Sequence, residues 1–101
     1  MKKQSYFLFL FTIFSLWGIA QKYTVSGYVK DNADGEAMIG VVVYEEGTAN
    51  AVTTNAYGFY SLTLPQGKHV LSFSFAAFEK LTKEIDLTKN INLNVEMKED
   101  K

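Results

Sequence analysis

The chain is 101 residues long, 48% hydrophobic and 15% aromatic, with formal net charge −1, one histidine and no cysteine. That length allows one domain, and ordinary hydrophobic content with near-zero net charge excludes a disordered chain. Disulfide scaffolds, thiolate metal sites and cysteine nucleophiles are excluded, and the absence of a basic surplus excludes a bulk electrostatic footprint for nucleic acid.

Residues 1–20 open with Lys2 and Lys3, and Tyr6 to Ile19 is an apolar run interrupted by Thr12, Ser15 and Gly18. The run ends in Gly18-Ile19-Ala20, small residues at the positions a signal peptidase must accept. This pattern predicts a secretory signal peptide cleaved after Ala20. The alternative, a membrane anchor, fits less well, because the run is short against the roughly 20 residues needed to cross a bilayer. No cysteine follows the cleavage site, so no lipoprotein anchor is expected. The mature chain would begin at Gln21 with 81 residues, eight lysines and eleven acids, net charge −3. A domain of that size buries only about 60% of its unfolded surface, and without disulfides it relies on packing and sheet pairing. An exported chain without cysteine is expected of a bacterial cell.

From Tyr23 onward the sequence reads as short strands. Tyr23 to Lys30 alternates, with Val25 and Val29 on one face and Thr24, Ser26, Tyr28 and Lys30 on the other. Asp31 to Glu36 is turn chemistry, with Gly35 supplying positive φ. Met38 to Glu46 is a near-continuous β-branched run suited to a central strand, with Ile39, Val41 and Val43 facing one way. Ala51 to Thr54 is a short strand, and Asn55 to Gly58 turns into Phe59–Leu64, whose Tyr60, Leu62 and Leu64 share a face. Pro65-Gln66-Gly67 turns the chain again. In His69–Phe75 the inward positions are His69, Leu71, Phe73 and Phe75. Leu81–Leu87 is a weaker strand. The last one alternates cleanly, with Ile91, Leu93, Val95 and Met97 inward, and Lys98 to Lys101 is a polar tail. Seven short strands without a helical period predict an all-β, seven-stranded antiparallel Greek-key sandwich over residues 21–97.

The chemistry on offer is sparse. His69 has no second histidine or cysteine with which to hold zinc, and no nucleophile-elbow motif surrounds any serine. Its core-facing register predicts a packing role at the sheet edge, so no catalytic, cofactor-binding or metal-binding residue is assigned. Asp31 to Glu36 fails as a calcium loop: with Gly35 at the invariant position, the first ligand would be Lys30 and the twelfth Val41. Tyr23, Tyr28, Tyr44, Tyr57 and Phe59 fall opposite the core or at turns. Of these, Tyr28, Tyr44 and Phe59 form the candidate partner-binding surface, since exposed aromatics stack on sugars or fill a partner's pocket. Solvated outer faces are the plainer reading of the same residues.

Val25-Ser26-Gly27-x-Val29-x-Asp31, Ile39-Gly40-Val41-x-Val43 with Gly47-Thr48, and Thr54-Asn55-x-x-Gly58-x-Tyr60-x-Leu62-x-Leu64-Pro65-x-Gly67 stand in order. His69-x-Leu71-x-x-Ser74 and Ala77-Phe78 follow them. Together these fragments resemble the carboxypeptidase regulatory-like domain, a transthyretin-like (prealbumin-like) seven-stranded sandwich, over about residues 23–97. That family usually has Asp at the place of Asn55, an aromatic at His69 and Gly-Tyr at Ala77-Phe78. The resemblance implies no enzyme, because in metallocarboxypeptidases the zinc and catalytic glutamate sit in a separate domain. A signal peptide leading into such a domain is similar to the N-terminus of TonB-dependent outer-membrane receptors, where the domain hangs in the periplasm ahead of plug and barrel. The implied role is a non-enzymatic accessory domain of the envelope, outer-membrane-associated, with no cofactor and no nucleic acid. Its partner would be a receptor plug or barrel or the import machinery, and the mature domain would not span the membrane. The alternative is a free-standing secreted module that binds carbohydrate or peptide.

Overall fold

A computed structural model describes residues 21–100; the segment expected to be a signal peptide, residues 1–20, lies outside the described residues, as does Lys101. The described chain is all strand and turn: β1 (Lys22–Asp31), β2 (Val42–Glu45), β3 (Ala51–Thr53), β4 (Phe59–Pro65), β5 (Gly67–Ser74), β6 (Leu81–Leu87), β7 (Ile91–Asn92) and β8 (Val95–Met97). Two sheets form. One runs β4-β1-β7, with β8 also on β1; the other runs β3-β2-β5-β6. The expected sandwich is therefore present, and the expected final strand is split into β7 and β8.

Alternation explains the core. Val25 and Val29 of β1, Tyr60, Leu62 and Leu64 of β4, and Val95 and Met97 of β8 point inward from one sheet. Val43, Leu71, Phe73 and Leu87 point inward from the other. Tyr60 and Phe73 meet edge-on between the sheets, ring centroids 5.5 Å apart at 79°. Burial pushes the Tyr60 phenol well above its ordinary pKa.

Not every pairing is antiparallel. β1 meets β4 antiparallel, Val25 opposite Leu62. On its other side it runs parallel to β7 (Val25 with Ile91) and to β8 (Val29 with Val95). Between those two short strands the backbone at Leu93 and Asn94 crosses directly over Gly27. A Cβ at residue 27 would stand 2.0 Å from the Leu93 carbonyl oxygen and 2.9 Å from Asn94 Oδ1. Glycine is required there for closeness of approach, and the crossing is tied down on both sides. The Leu93 N–H donates to Ser26 O at 2.7 Å. The buried Tyr60 hydroxyl donates to Leu93 O at 2.6 Å.

Two core expectations are corrected. Ile39, expected inward, is 59% exposed, while Met38 and Val41 are buried. Gly40 takes φ 83 and breaks the strand ahead of Val42, so positions 38 and 41 face inward and 39 faces out. The buried Thr54 side chain locks this bend: its hydroxyl accepts from Val41 N–H at 2.9 Å and donates to Met38 O at 2.6 Å. Phe75, also expected inward, lies one residue past the end of β5, 36% exposed, edge-on to Phe78. Lys98–Asp100, expected as a polar tail beyond the domain, pairs with the segment after β5. Glu79 N–H donates to Lys98 O and Asp100 N–H to Ala77 O, each at 2.8 Å.

Candidate functional site

The three aromatics of the expected partner surface do not gather on one face. Tyr28 and Phe59 are cross-strand neighbours on the outer face of the β4-β1 sheet, with ring centroids 5.2 Å apart at 60°. Tyr28 is 45% exposed. Tyr44 lies on the outer face of the opposite sheet, where the Lys80 ammonium sits 5.7 Å from its ring centroid. Lys80 also bonds Glu46 at 2.7 Å, and the fully buried Ser72 hydroxyl donates to the same carboxylate. Tyr44 thus belongs to a surface polar cluster with Lys80, Glu46 and Ser72, so of the three expected aromatics only Tyr28 and Phe59 stand together, while Tyr57, 76% exposed, lies in the turn before β4. Beside them a shallow depression of about 210 Å³ is lined by Tyr28, Lys30, Asn94, Val95 and Glu96.

His69 sits at the other end of the molecule, on the inner register of β5. Its Nδ1 meets the Glu45 carboxylate and its Nε2 meets Pro65 O at 2.7 Å. Glu45 is held in turn by Asn50 Nδ2 at 3.0 Å and the Thr48 hydroxyl at 3.3 Å. Both ring nitrogens face acceptors, an arrangement that only the imidazolium satisfies. Burial opposes that charge, but the Glu45 carboxylate and the Pro65 carbonyl outweigh it and raise the His69 pKa. The hydrogen bond from His69, with those from Asn50 and Thr48, lowers the Glu45 pKa. The ring therefore ties the β2–β3 turn to the β4–β5 turn, and neither nitrogen is left as a base. The neighbouring depression, about 690 Å³, is walled by Glu45, Glu46, Glu84 and Asp86 beside Lys68. Sequence reasoning expected His69 at a sheet edge, whereas β5 lies between β2 and β6, and it missed Glu45, because nothing local marks a partner 24 residues away.

The Asp31–Glu36 turn spends its carboxylates on its own backbone. Asp31 Oδ1 accepts from Ala33 N–H at 2.9 Å and Asp34 Oδ1 from Glu36 N–H at 3.0 Å. At the next turn Asn55 Oδ1 accepts from Tyr57 N–H and Phe59 N–H, at 2.9 and 3.1 Å. A carboxylate would offer the same oxygen, so Asn in place of the usual Asp leaves the turn intact.

Comparison with known proteins adds to this geometry. The CarboxypepD_reg-like domain family matches residues 25–101. TonB-dependent receptor P3 of Formosa agariphila is 32% identical over 98 residues, which are 97% of this chain and 10% of that protein. TonB-dependent receptor P39 of the same organism is 34% identical over 92 residues, 85% of this chain and 9% of that protein. The chain thus spans about a tenth of the length of the curated relatives it matches. Among solved structures, 5-hydroxyisourate hydrolase of Klebsiella pneumoniae superposes with a TM-score of 0.62 at 21% identity, over 77% of this chain and 92% of that one. That likeness is one of fold.

Proposed function

The chain belongs to the CarboxypepD_reg-like domain family, and on that footing we propose that it is a non-enzymatic accessory domain of a TonB-dependent outer-membrane receptor, carried on the periplasmic side. The observation that carries this reading is the match of 97% of the chain to a TonB-dependent receptor ten times its length. The committed state of His69 agrees with a non-enzymatic role, since its nitrogens serve Glu45 and Pro65. The charged end of residues 1–20, its apolar run and its small-residue terminus support export. In this role the sandwich is a rigid body that offers loops and sheet faces to a protein partner in the envelope, the receptor's own plug or barrel or the import machinery.

An antibody raised against residues 21–100 tests the reading in fractionated cells. On this reading it should detect a polypeptide about ten times the length of this chain in the outer-membrane fraction, a size in line with that of the relatives. Detection of only an 11.4 kDa or smaller species in the cytoplasm would overturn it.

A further inference from the structure

We propose that the outer face of the β4-β1-β7 sheet is a binding site for a neutral oligosaccharide, a function that goes beyond the receptor reading and does not depend on it. The first observation is charge. Between Lys22 and Lys30, β1 presents Thr24, Ser26 and Tyr28 to this face, and the facing stretch of β4 presents Phe59, Ser61 and Thr63. None is ionised at neutral pH, in a chain whose residues are 21% charged. The outer face of the other sheet carries Lys68, Glu84 and Asp86 along its strands instead. Lys22 and Lys30 bound this stretch on the same register, and Glu96 stands opposite Lys30, so charge on this face is confined to its two ends and the middle favours a ligand built of hydroxyls.

The second observation is a row of three asparagines, Asn90, Asn92 and Asn94, along the β7–β8 edge. Asn90 Oδ1 accepts from Thr24 N–H at 2.8 Å, and Asn94 Oδ1 accepts from Tyr28 N–H at 2.9 Å. Asn92 Oδ1 accepts from the Ser26 hydroxyl at 3.3 Å. A backbone N–H can only donate, so the oxygens of Asn90 and Asn94 are fixed by their partners. The carboxamides of Asn90 and Asn94 therefore each keep an NH₂ group with no hydrogen-bond partner among the described residues and an orientation already set, and Asn92, held by the Ser26 hydroxyl, lies between them. The carboxamides recur at alternate residues, roughly 6.6 Å apart along β1. The ordering entropy of the side chains is thus spent in folding and not in binding.

The third observation is the platform at the end of the row. Tyr28 is 45% exposed, is steadied by Phe59 at 5.2 Å, and borders the depression of about 210 Å³ that Lys30, Asn94 and Glu96 also line. An aromatic face takes the apolar C–H side of a pyranose, while amide donors and Ser and Thr hydroxyls meet its oxygens. Ordered donors, hydroxyls of either polarity and one aromatic platform, on a stretch that carries no charge between Lys22 and Lys30, match a chain of uncharged sugars.

The experiment is heteronuclear NMR titration of the purified protein with short oligosaccharides of β-glucan, α-glucan, mannan and xylan, each to about 10 mM, with oligogalacturonate as the anionic counterpart. Saturable shifts of the Asn90, Asn92 and Asn94 side-chain amides and of Tyr28 are expected with at least one neutral chain, and weaker ones with the anionic chain. Tyr28→Ala and Asn92→Ala should each weaken binding about tenfold, with backbone spectra that still report the folded sandwich. Tyr44→Ala, on the opposite face, should leave affinity unchanged. The proposal is overturned by shifts absent with all four neutral chains, by shifts on the Tyr44 face, by tighter binding of the anionic chain, or by a folded Tyr28→Ala variant of undiminished affinity.

Discussion

Adding one methyl group at residue 27 tests the parallel crossing directly. The new Cβ of Gly27→Ala would stand 2.0 Å from Leu93 O and 2.6 Å from Leu93 C, both backbone atoms. Non-bonded carbon and oxygen do not approach that closely, so the β7–β8 junction must retreat by about 1 Å or more from a close-packed position. That retreat takes Leu93 O away from the Tyr60 hydroxyl, which lies in a residue 1% exposed. An orphaned buried hydroxyl costs about 1–3 kcal/mol. The bonds from Leu93 N–H to Ser26 O and from Tyr28 N–H to Asn94 Oδ1 stretch too, at about 0.5–1.5 kcal/mol each. The offsetting gain from a stiffer unfolded chain is at most about 1 kcal/mol. A net loss of about 2–5 kcal/mol is expected, against a total near 4–12 kcal/mol for a domain of this length. The assay is thermal melting followed by near-UV circular dichroism, where the fall in Tm should be about 10–25 °C. A double-mutant cycle sharpens it: Tyr60→Phe should destabilise the parent by about 1 kcal/mol and have almost no further effect beside Gly27→Ala. A Gly27→Ala protein that melts like the parent would refute the argument, because the crossing would then have room to move at no cost.

Other expectations follow from single sites. Ala77 holds φ 67, a left-handed conformation that side chains resist. Ala77→Gly should therefore raise stability by about 1 kcal/mol in denaturant titration, and a lower midpoint would contradict the strain. Leu62→Ala, at a core position 6% exposed, should cost about 2–5 kcal/mol by the same titration, and parental stability would mean that the site is not packed as described. The His69–Glu45 tie sets a pH window. His69 titrates above its ordinary 6.5, so its contribution is whole below that pH and is lost as pH rises through the raised value. Glu45 titrates below 4.5, so its contribution is whole above that pH and is lost as pH falls through the lowered value. Tm should peak between those two values, and His69→Phe should flatten the alkaline side. An alkaline slope that persists in the variant would show that another group sets it.

Alternation, turn residues and length carry most of the strand map. The faces of β1 and β4 follow from hydrophobic parity alone, and the stops at Asn55–Gly58 and Pro65–Gly67 follow from turn chemistry. Three features lay outside that reach. Parity says which face a side chain takes but not the direction of the neighbouring strand, so the parallel partnership of β1 with β7 and β8 had no local mark. A single positive φ at Gly40 shifts parity within one apolar run, which carried Ile39 from the expected core to solvent. Polar pairings are long-range: Thr54 with Met38, Glu45 with His69 and the asparagine row with β1 join positions 16 to 66 residues apart. The candidate surface was legible only as aromatics off the core. Separating Tyr44 from Tyr28 and Phe59 required knowing which sheet each strand joins.

The parallel course of β1 beside β7 and β8 fixes how tension would pass through the domain. The first strand begins at Lys22, and the last ends at Met97 beside Asp31, the far end of that same strand. Traction applied at these two points acts along the strand axes in opposite senses. The rungs joining Val25 to Ile91, Ser26 to Asn92, Val29 to Val95, Lys30 to Glu96 and Asp31 to Met97 then bear load in shear, all together. Rungs pulled open from one end would instead fail in succession, each at a small force. Leu93 wedged over Gly27 adds a steric catch midway along the slide. A longitudinal pull between the two poles therefore meets these rungs in shear, and the weak direction lies across the strands.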